Sequence, residues 1–312
     1  MDREAFIQAL TFPEKDLILA FLRKFSQRRD IYIVGGSIRD FLLGRPIYDL
    51  DIALDEEPSV LAEFLARVLH YTPILLSEEF GIYRLAKGRY TIDLTLYRGK
   101  DIEEDLRERD FTLNALALPL RCLFEGPFEI FDPLGGFQDL QSGIIRAIGE
   151  KNILADPLRI LRGYRFLAQG YGSLETKTRT YFQRYRNSLT FVAPERINLE
   201  LKYILLSHNS FVAFKAMIED GVFEVIFPEF EVCKGLPQPT YHHLDVFWHN
   251  LEALKGAEEI LKNPKTFLSL EEIPEEFQEE DFILTVKLAS LFHDLGKGYT
   301  FAQGEDKITF YG

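Results

Sequence analysis

The motif Gly35-Gly36-Ser37-Ile38-Arg39-Asp40, followed shortly by Asp49-Leu50-Asp51, decides the fold of this chain. A β-rich run over residues 31–34 precedes the two glycines, and a helical pattern over residues 38–43 follows them. Two glycines between a strand and a helix let the backbone turn tightly, and the free N–H groups at the start of the helix suit an anion such as a phosphate. Because glycine pairs at strand ends are common, the turn alone indicates only a change of element.

The acid pair Asp49 and Asp51 makes the motif more specific. Residues i and i+2 of a strand face the same way, so the two carboxylates lie side by side on a strand that is otherwise apolar. They repel each other, and a divalent cation relieves that repulsion. Mg²⁺ is typically held by one or two carboxylates together with substrate phosphates. We therefore predict that Asp49 and Asp51 bind Mg²⁺, with Asp93 of a later β-rich run as the third catalytic acid.

The hydrophobic pattern around this motif changes once along the chain. Up to about residue 145 it predicts a mixed α/β region whose strands need not be parallel, and from residue 146 onward it is mainly helical. The helices predicted in the first part cover residues 1–30, 38–43 and 60–69, with Ser59 as the N-cap of the last. The predicted strands cover residues 31–34, 48–54, 82–86 and 90–97.

Charge is distributed unevenly. The chain has 312 residues with 36 basic and 49 acidic ones, a net charge of −13 that by itself argues against a nucleic-acid binder. Residues 151–205, however, hold ten basic and four acidic residues, a local charge of +6, which leaves −19 for the remainder. Seven of the acids lie within residues 271–281. The 151–205 segment is therefore either a solvated basic helix face or a strip that contacts phosphates.

Several classes of protein are disfavoured by composition. The two cysteines, Cys122 and Cys233, are far apart and form no CxxC pair, so a disulfide framework and a structural zinc site are not expected. No apolar run reaches the length of a membrane span, and the N-terminal residues lack the pattern of a signal peptide. These observations predict a cytoplasmic protein with no membrane contact.

The order of the motifs resembles that of one known family. After the two motifs above come Glu108-Arg109-Asp110-Phe111-Thr112-Leu113-Asn114-Ala115 and Asp156-Pro157-Leu158-Arg159-Ile160-Leu161-Arg162. Glu195-Arg196-Ile197, with Glu200, resembles a further motif of the same family. Over residues 30–205 the chain resembles the class II tRNA nucleotidyltransferase and bacterial poly(A) polymerase family.

This resemblance implies a fold and an activity. The fold is an α/β head with a mixed, polymerase-β-like sheet, followed by an all-α neck, body and tail. We expect the head at residues 1–145, the neck at 146–205, and the body and tail at 206–312. The implied reaction adds nucleotides to the 3′ end of tRNA without a nucleic-acid template and releases pyrophosphate, with two Mg²⁺ held by Asp49 and Asp51.

The resemblance also implies roles for individual residues. Asp156 and Arg159 read the edge of the incoming base, and Arg162 supports that pair or contacts phosphate. The nucleotide-binding residues implied in this way are Gly35, Gly36, Ser37, Arg39, Asp40, Arg109, Asp110, Asn114, Asp156, Arg159 and Arg162. Two positions depart from the family pattern, since Glu108 replaces a usual arginine and Ala155 replaces a usual glutamate.

The length of one connection bears on the choice of nucleotide. Family members that complete the CCA end usually carry a flexible loop of some ten or more residues between the strand of the third acid and the Arg-Asp motif. Here residues 97–105 reach that motif almost directly. We therefore predict a CC-adding enzyme that uses CTP, whose product is completed by a separate A-adding enzyme. ATP use, through full CCA-adding, A-adding or poly(A) polymerase activity, stays open as the alternative.

A second group of residues resembles the HD metal-dependent phosphohydrolase domain. Tyr241-His242-His243 and His249 precede the sequence His293-Asp294-Leu295-Gly296-Lys297, which follows an apolar helical run. His249, His293 and Asp294 supply at most three ligands of a second metal site. The plain alternative is that these helices only grip the tRNA, and the sequence does not decide whether the chain is truncated.

Two classes of function compete with a nucleotidyl-transferring enzyme. One is an HD-type phosphohydrolase with a nucleotide-binding head. The other is a non-catalytic RNA- or nucleotide-binding module, against which the pair of Asp49 and Asp51 argues, because binding alone does not require adjacent acids that repel phosphate.

Overall fold

The structure of the chain is a computed structural model that describes residues 2–26, 30–78, 81–238, 244–268, 272–303 and 308–310. It divides into two compact units, Met1–Asn152 and Ile153–Gly312. The expected division into a head, a neck and a body with tail stays a prediction.

The first unit is built on a six-stranded mixed sheet with the strand order β3-β4-β5-β2-β1-β6. Only β2 and β5 run parallel, and every other neighbouring pair is antiparallel. The strands are β1 Tyr32–Val34, β2 Asp49–Leu54, β3 Thr72–Ser77, β4 Ile82–Lys87, β5 Tyr90–Leu96 and β6 Ala117–Pro119. The prediction of a mixed sheet is confirmed.

Helices surround this sheet. They are α1 Arg3–Ala9, α2 Lys15–Phe25, α3 Gly36–Leu42, α4 Ser59–Leu69, α5 Ile102–Arg107 and α6 Gly136–Gln141, with short 3-10 helices at Thr112–Asn114 and Leu120–Leu123. A further helix, α7, covers Glu150–Ala155, and the short strand β7 covers Ile144–Ile145.

Side-chain alternation along β2 explains where the acids lie. Leu50, Ile52 and Leu54 join the large apolar core of the unit, while Ala53 joins a smaller apolar cluster. Because alternate residues of a strand face opposite sides, Asp49 and Asp51 share the face of Ala53. The apolar residues therefore anchor the strand and leave its first two acids on one side.

Three local predictions were wrong or incomplete. The predicted N-terminal helix is broken into α1 and α2, because Leu10 makes a bridge to Ile47 and Pro13 follows it. The N-cap of α4 is Pro58, and Ser59 is already the first helical residue. Two strands were not predicted. The residues of β3 are mostly exposed and show no alternation, and β6 is only three residues long.

The second unit is mostly helical, as predicted. Its longer helices are α8 Arg159–Ala168, α9 Thr176–Tyr185, α10 Pro194–Leu206, α11 Ser210–Glu219, α13 Val246–Lys262 and α15 Glu280–Phe292. Shorter ones are α12 Phe223–Ile226, α14 Pro264–Leu268 and α16 Lys297–Thr300, with 3-10 helices at Arg186–Phe191, Pro228–Cys233 and Glu275–Gln278. The short strands β8 Ser173–Leu174, β9 Phe301–Gln303 and β10 Ile308–Phe310 were not predicted, and β9 pairs with β10. Among the described residues, no helix is long and apolar enough to cross a membrane.

Candidate functional site

The turn between β1 and α3 brings backbone against an acid of β2. Gly35 has a φ of +62°, a conformation that favours glycine. A Cβ at this position would lie 3.0 Å from Nη1 of Arg109 and 3.1 Å from Oδ2 of Asp51. The next N–H, that of Gly36, donates to Oδ2 of Asp51 at 3.0 Å. Both the left-handed backbone and the lack of space therefore require glycine here.

Ser37 ties the start of α3 to β2. Its fully buried hydroxyl donates to the carbonyl of Asp49 at 3.0 Å and accepts from the N–H of Asp51 at 2.7 Å. The residue therefore fixes the strand segment that carries both acids. Its expected contact with a triphosphate stays a prediction.

Three carboxylates form an acid cluster on neighbouring strands. Asp51 of β2 lies directly opposite Asp93 of the parallel strand β5, and Asp49 lies opposite Thr91. The Thr91 hydroxyl donates to Oδ1 of Asp49 at 2.6 Å. Burial, followed by the charges of Asp93 and Asp49, raises the pKa of Asp51 to about 7, although Arg109 partly offsets this. The protein environment therefore disfavours the ionised form of Asp51 when no cation is present.

Arg84 is a partner of the acid cluster that the sequence analysis missed. It lies on β4 opposite Asp93, and its Nε and Nη2 donate to the two oxygens of Asp93 at 2.8 and 2.6 Å. A signal for it was present in the sequence. The β4–β5 hairpin pairs Lys87 with Tyr90, and counting back from this two-residue turn places Arg84 opposite Asp93.

Four predicted nucleotide-binding residues form a hydrogen-bonded chain beside the glycine turn. Arg39 donates from Nε and Nη2 to Asp40 at 3.0 and 3.1 Å, and from Nη1 to Oδ1 of Asn114 at 2.7 Å. The Asn114 amide donates in turn to Oδ1 of Asp110 at 3.1 Å. The structure thus brings Arg39, Asp40, Asp110 and Asn114 together, although they are as much as 75 positions apart in sequence.

Arg109 is held in place by residues that the sequence analysis did not identify. Its Nε and Nη2 donate to Oδ2 of the buried Asp105 at 3.0 and 2.9 Å. The amide of Asn152 donates at 2.8 Å to the carbonyl oxygens of both Arg107 and Arg109. Glu108, which replaces a usual arginine, instead makes an exposed ion pair with Lys151 at 2.7 Å.

The connection between β5 and α5 is short and internally fixed. It comprises residues 97–101 only, since β5 ends at Leu96 and α5 begins at Ile102. Asp101 caps the helix by accepting from the N–H of Glu104 at 2.9 Å, and Asp105 accepts from the N–H of Arg98 at 3.1 Å. The predicted lack of a long loop is therefore matched by a connection whose two ends are hydrogen-bonded.

The predicted base-reading residues lie in the second unit at the start of α8. Arg159 is its first residue and is only 8% exposed, whereas Asp156 and Arg162 are half-buried. Asp156 accepts from Nη2 of Arg196 at 2.9 Å and from the N–H of Leu158 at 3.3 Å. Arg196 belongs to the motif Glu195-Arg196-Ile197, but its pairing with Asp156 was not predicted.

The second predicted metal cluster is also assembled within the second unit. The ligand atoms of His249, His293 and Asp294 all lie within 4.8 Å of one another. Nδ1 of His293 is 2.8 Å from the carbonyl of Ser290, which favours the tautomer whose Nε2 is unprotonated. Nζ of Lys297, however, lies 2.5 Å from Oδ2 of Asp294. Residues 241–243, which were also quoted for this motif, lie outside the described residues.

Comparison with known proteins gave consistent matches. Residues 31–146 match the poly(A) polymerase head domain, and residues 173–234 match the domain described as a probable RNA- and SrmB-binding site of polymerase A. The chain is 34% identical to the A-adding tRNA nucleotidyltransferase of Deinococcus radiodurans, over 90% of this chain and 60% of the relative. It is also 34% identical to the CC-adding tRNA nucleotidyltransferase of Thermus thermophilus, over 88% of this chain and 58% of the relative.

A solved structure also matches the chain. A tRNA nucleotidyltransferase complexed with a primer tRNA and an incoming ATP analogue matches 88% of this chain and 75% of that chain, with 25% identity and a TM-score of 0.67. The present chain spans about three fifths of the length of the two curated relatives above.

Proposed function

The chain belongs to the tRNA nucleotidyltransferase and poly(A) polymerase family, and we propose on that basis that it adds nucleotides to the 3′ end of tRNA without a template. The observation that carries the proposal is the placement of Asp49 and Asp51 side by side on β2, against the glycine turn that begins α3. A module that only binds RNA has no use for adjacent acids that repel its phosphates.

The residues of the acid cluster fit Mg²⁺. Members of this family are normally metal-dependent. Asp49 and Asp51 offer the carboxylate oxygens that Mg²⁺ prefers. Oδ1 of Asp49 and Oδ2 of Asp51 accept hydrogen bonds from Thr91 and Gly36, and within the described part of the chain their other oxygens accept none. When bound there, two Mg²⁺ would neutralise charge on the attacking 3′-oxygen and on the leaving pyrophosphate.

The chain's own groups then hold the nucleotide. The 3′-hydroxyl of the tRNA loses its proton to solvent and its oxygen forms a bond to the α-phosphorus, while the bond from that phosphorus to the oxygen of the leaving pyrophosphate breaks. Arg39 and Arg109 place two guanidinium groups beside the glycine turn, where they can contact the phosphates. Asp110 and Asn114 hold Arg39 through the hydrogen-bonded chain described above, and they orient the ribose and phosphates.

Base selection is proposed to depend on Asp156 and Arg159. The Asp156 carboxylate accepts from the N4 amine of cytosine, while the Arg159 guanidinium donates to N3 and O2. We expect Arg159→Ala to reduce the preference for CTP over ATP while triphosphate binding persists. Lys177→Ala removes the same charge from an exposed position of the 151–205 segment and should leave the preference unchanged. Undiminished CTP preference in Arg159→Ala would contradict the assignment.

The nucleotide added is proposed to be CMP. Sequence identity does not decide this, because the A-adding and CC-adding relatives are equally identical to the chain. The supporting observation is the connection over residues 97–101, which leaves no room for the flexible loop of CCA-completing members. A separate A-adding enzyme would then act on the product.

One primer-extension experiment tests both the activity and its specificity. The chain is incubated with a tRNA that lacks CCA, with CTP, with ATP and with both, and with a tRNA that already ends in CC. We expect two nucleotides to be added from CTP to the tRNA that lacks CCA, and none to be added from ATP to either tRNA. A product ending in CCA would show full CCA addition, addition of A to the CC end would show an A-adding enzyme, and a long A tract on unrelated RNA would show a poly(A) polymerase.

A second activity is supported by the cluster of His249, His293 and Asp294. Its three ligand atoms lie close together, and the Ser290 carbonyl orients one imidazole for metal binding. We propose a metal-dependent phosphohydrolase site there. Phosphate release from p-nitrophenyl phosphate with Mn²⁺ should survive Asp49→Ala combined with Asp51→Ala and should be lost in His293→Ala. If the unmodified chain releases no phosphate, the proposal is wrong and the helices that carry His249 and His293 have only a structural role.

A further inference from the structure

Arg84, Asp93 and Asp51 form one row across three adjacent strands. Arg84 on β4 is paired with Asp93 on β5, and Asp93 is paired with Asp51 on β2. Residues paired directly across neighbouring strands lie on the same face of a sheet, so the guanidinium belongs to the same surface as the carboxylates. The row therefore reads basic, acidic, acidic from β4 to β2.

The ion pair between Arg84 and Asp93 engages both carboxylate oxygens. Nε donates to Oδ1 at 2.8 Å and Nη2 donates to Oδ2 at 2.6 Å, the two-pronged geometry that suits a guanidinium and a carboxylate. The side chains are only 39% and 16% exposed, so competition from water is reduced. Asp49 and Asp51, by contrast, each have one oxygen that accepts no hydrogen bond among the described residues.

We propose that Arg84 is a positioning residue that holds Asp93 out of the metal's ligand set and thereby restricts that set to Asp49 and Asp51. The inference deepens the proposed nucleotidyl transfer, because it concerns the same acid cluster. Asp93 then acts through its place beside Asp51 and its partly neutralised charge. A guanidinium suits this role, because it stays charged and its planar fork matches both oxygens of a carboxylate.

Single substitutions at this pair change the charge near the metal, so the test needs a charge-balanced variant. Arg84→Gln combined with Asp93→Asn removes one positive and one negative charge and keeps two side chains that can hydrogen-bond. Arg84→Gln alone frees Asp93 to become a third ligand. Arg107→Gln makes the same charge change in an exposed ion pair with Glu103 and serves as the matched control.

The experiment measures Mn²⁺ binding to the metal-free full chain. Electron paramagnetic resonance reports the concentration of free Mn²⁺ during the titration. Asp49→Ala combined with Asp51→Ala measures Mn²⁺ bound elsewhere, including at the histidine cluster, and is subtracted. We expect the charge-balanced variant and Arg107→Gln to stay within about threefold of the unmodified affinity, and Arg84→Gln to bind about tenfold more tightly.

Two results would overturn the proposal. A loss of about tenfold or more in the charge-balanced variant would show that Asp93 is a ligand despite Arg84. An affinity in Arg84→Gln that is unchanged or weaker would show that the guanidinium does not restrain Asp93. Should Arg84→Gln alone fail to fold, the charge-balanced variant still decides the question. Because Mn²⁺ binding needs neither tRNA nor nucleotide, this result is independent of whether nucleotide addition is observed.

Discussion

The described residues include two clusters that could hold a metal, and these clusters differ in which basic groups offset the charge of their carboxylates. In the acid cluster of the first unit, Arg84 pairs with Asp93 and leaves Asp49 and Asp51 with surplus negative charge. In the histidine cluster of the second unit, the single carboxylate, that of Asp294, already contacts the Lys297 ammonium at 2.5 Å. A cation at the first cluster therefore supplies a missing counter-charge, whereas a cation at the second cluster must compete with Lys297 for Asp294.

This difference shows that the types of ligand alone do not predict how strongly a candidate site binds a metal. Two imidazoles and a carboxylate within 4.8 Å are a good ligand set, yet a basic side chain already occupies part of it. Two carboxylates alone are a sparser set, but their mutual repulsion drives cation binding. Equivalent substitutions in the two clusters should therefore have unequal effects.

The largest effect is expected on nucleotide addition. Asp51→Ala removes a proposed metal ligand and should lower the rate by about a thousandfold or more, with little loss of tRNA binding. His293→Ala should leave the rate within about twofold, because the activity proposed for its cluster is a different one. Rates are measured by primer extension under single-turnover conditions. Near-normal turnover of Asp51→Ala would remove the basis for treating the acid cluster as the catalytic one.

The next effect concerns pH and the metal-free protein. The pKa of Asp51 is raised from 3.8 to about 7 in the folded chain. Between these two pH values the folded chain therefore keeps a proton on Asp51 that the unfolded chain has lost. The contribution of Asp51 to stability is therefore full below pH 4 and falls as the pH rises toward 7. Asp51→Asn should stabilise the metal-free protein at pH 8 by up to about 4 kcal/mol.

Denaturant unfolding at pH 5 and pH 8, with a chelator present, measures this effect. Asp294→Asn provides the contrast, because it removes the carboxylate of the ion pair with Lys297 and should not stabilise the protein at pH 8. A gain for Asp294→Asn as large as that for Asp51→Asn would abolish the distinction between the two clusters.

Substituting a glycine beside each cluster by alanine should change the free energy of unfolding by a smaller amount. Gly35→Ala forces alanine into a positive φ and places its Cβ 3.1 Å from Oδ2 of Asp51, so we expect a loss of about 1–3 kcal/mol in unfolding free energy. Gly296 lies next to Leu295 of the histidine cluster motif, and a Cβ there meets nothing within 4 Å. Gly296→Ala should therefore be nearly neutral. Thermal unfolding distinguishes the two, and equal losses would show that crowding at the acid cluster has no special consequence.

The smallest effect is expected at Lys297. Lys297→Ala removes the ammonium that competes for Asp294, so Mn²⁺ binding at the histidine cluster should strengthen by about tenfold. Calorimetric titration in a chain that also carries Asp49→Ala and Asp51→Ala isolates this site. Unchanged Mn²⁺ affinity would mean that Lys297 is not the group that limits metal binding there.

The sequence supported much of the site because its signals are local. The glycine turn, the i and i+2 spacing of Asp49 and Asp51, and the short connection after β5 are all visible in consecutive residues. The position of Asp51 directly opposite Asp93 could not be predicted in this way. The register of β2 against β5 follows from packing across the sheet and not from either strand alone.

Partners that lie far away in sequence were the principal omissions. Arg196 is 40 positions from Asp156, and Asn152 is 43 positions from Arg109. Neither spacing has a periodicity that a single sequence reveals. Arg84 is the exception, since the tight turn between β4 and β5 fixes its position opposite Asp93 and would have identified the pair. Ser37 could be predicted to lie in the turn, but not that its hydroxyl would bond to the β2 backbone.

The parallel pairing of β2 with β5 has a consequence for the order of folding. Thr91 and Asp49 are 42 positions apart, so this pairing closes a long loop, whereas the β4–β5 hairpin closes over two residues. Local hairpins form within microseconds, and pairings between distant segments form later. We therefore expect Asp93 to meet Arg84 before it meets Asp51. By the time β2 docks with its own two acids, one of the three charges has already been neutralised, so the strand joins the sheet against less repulsion.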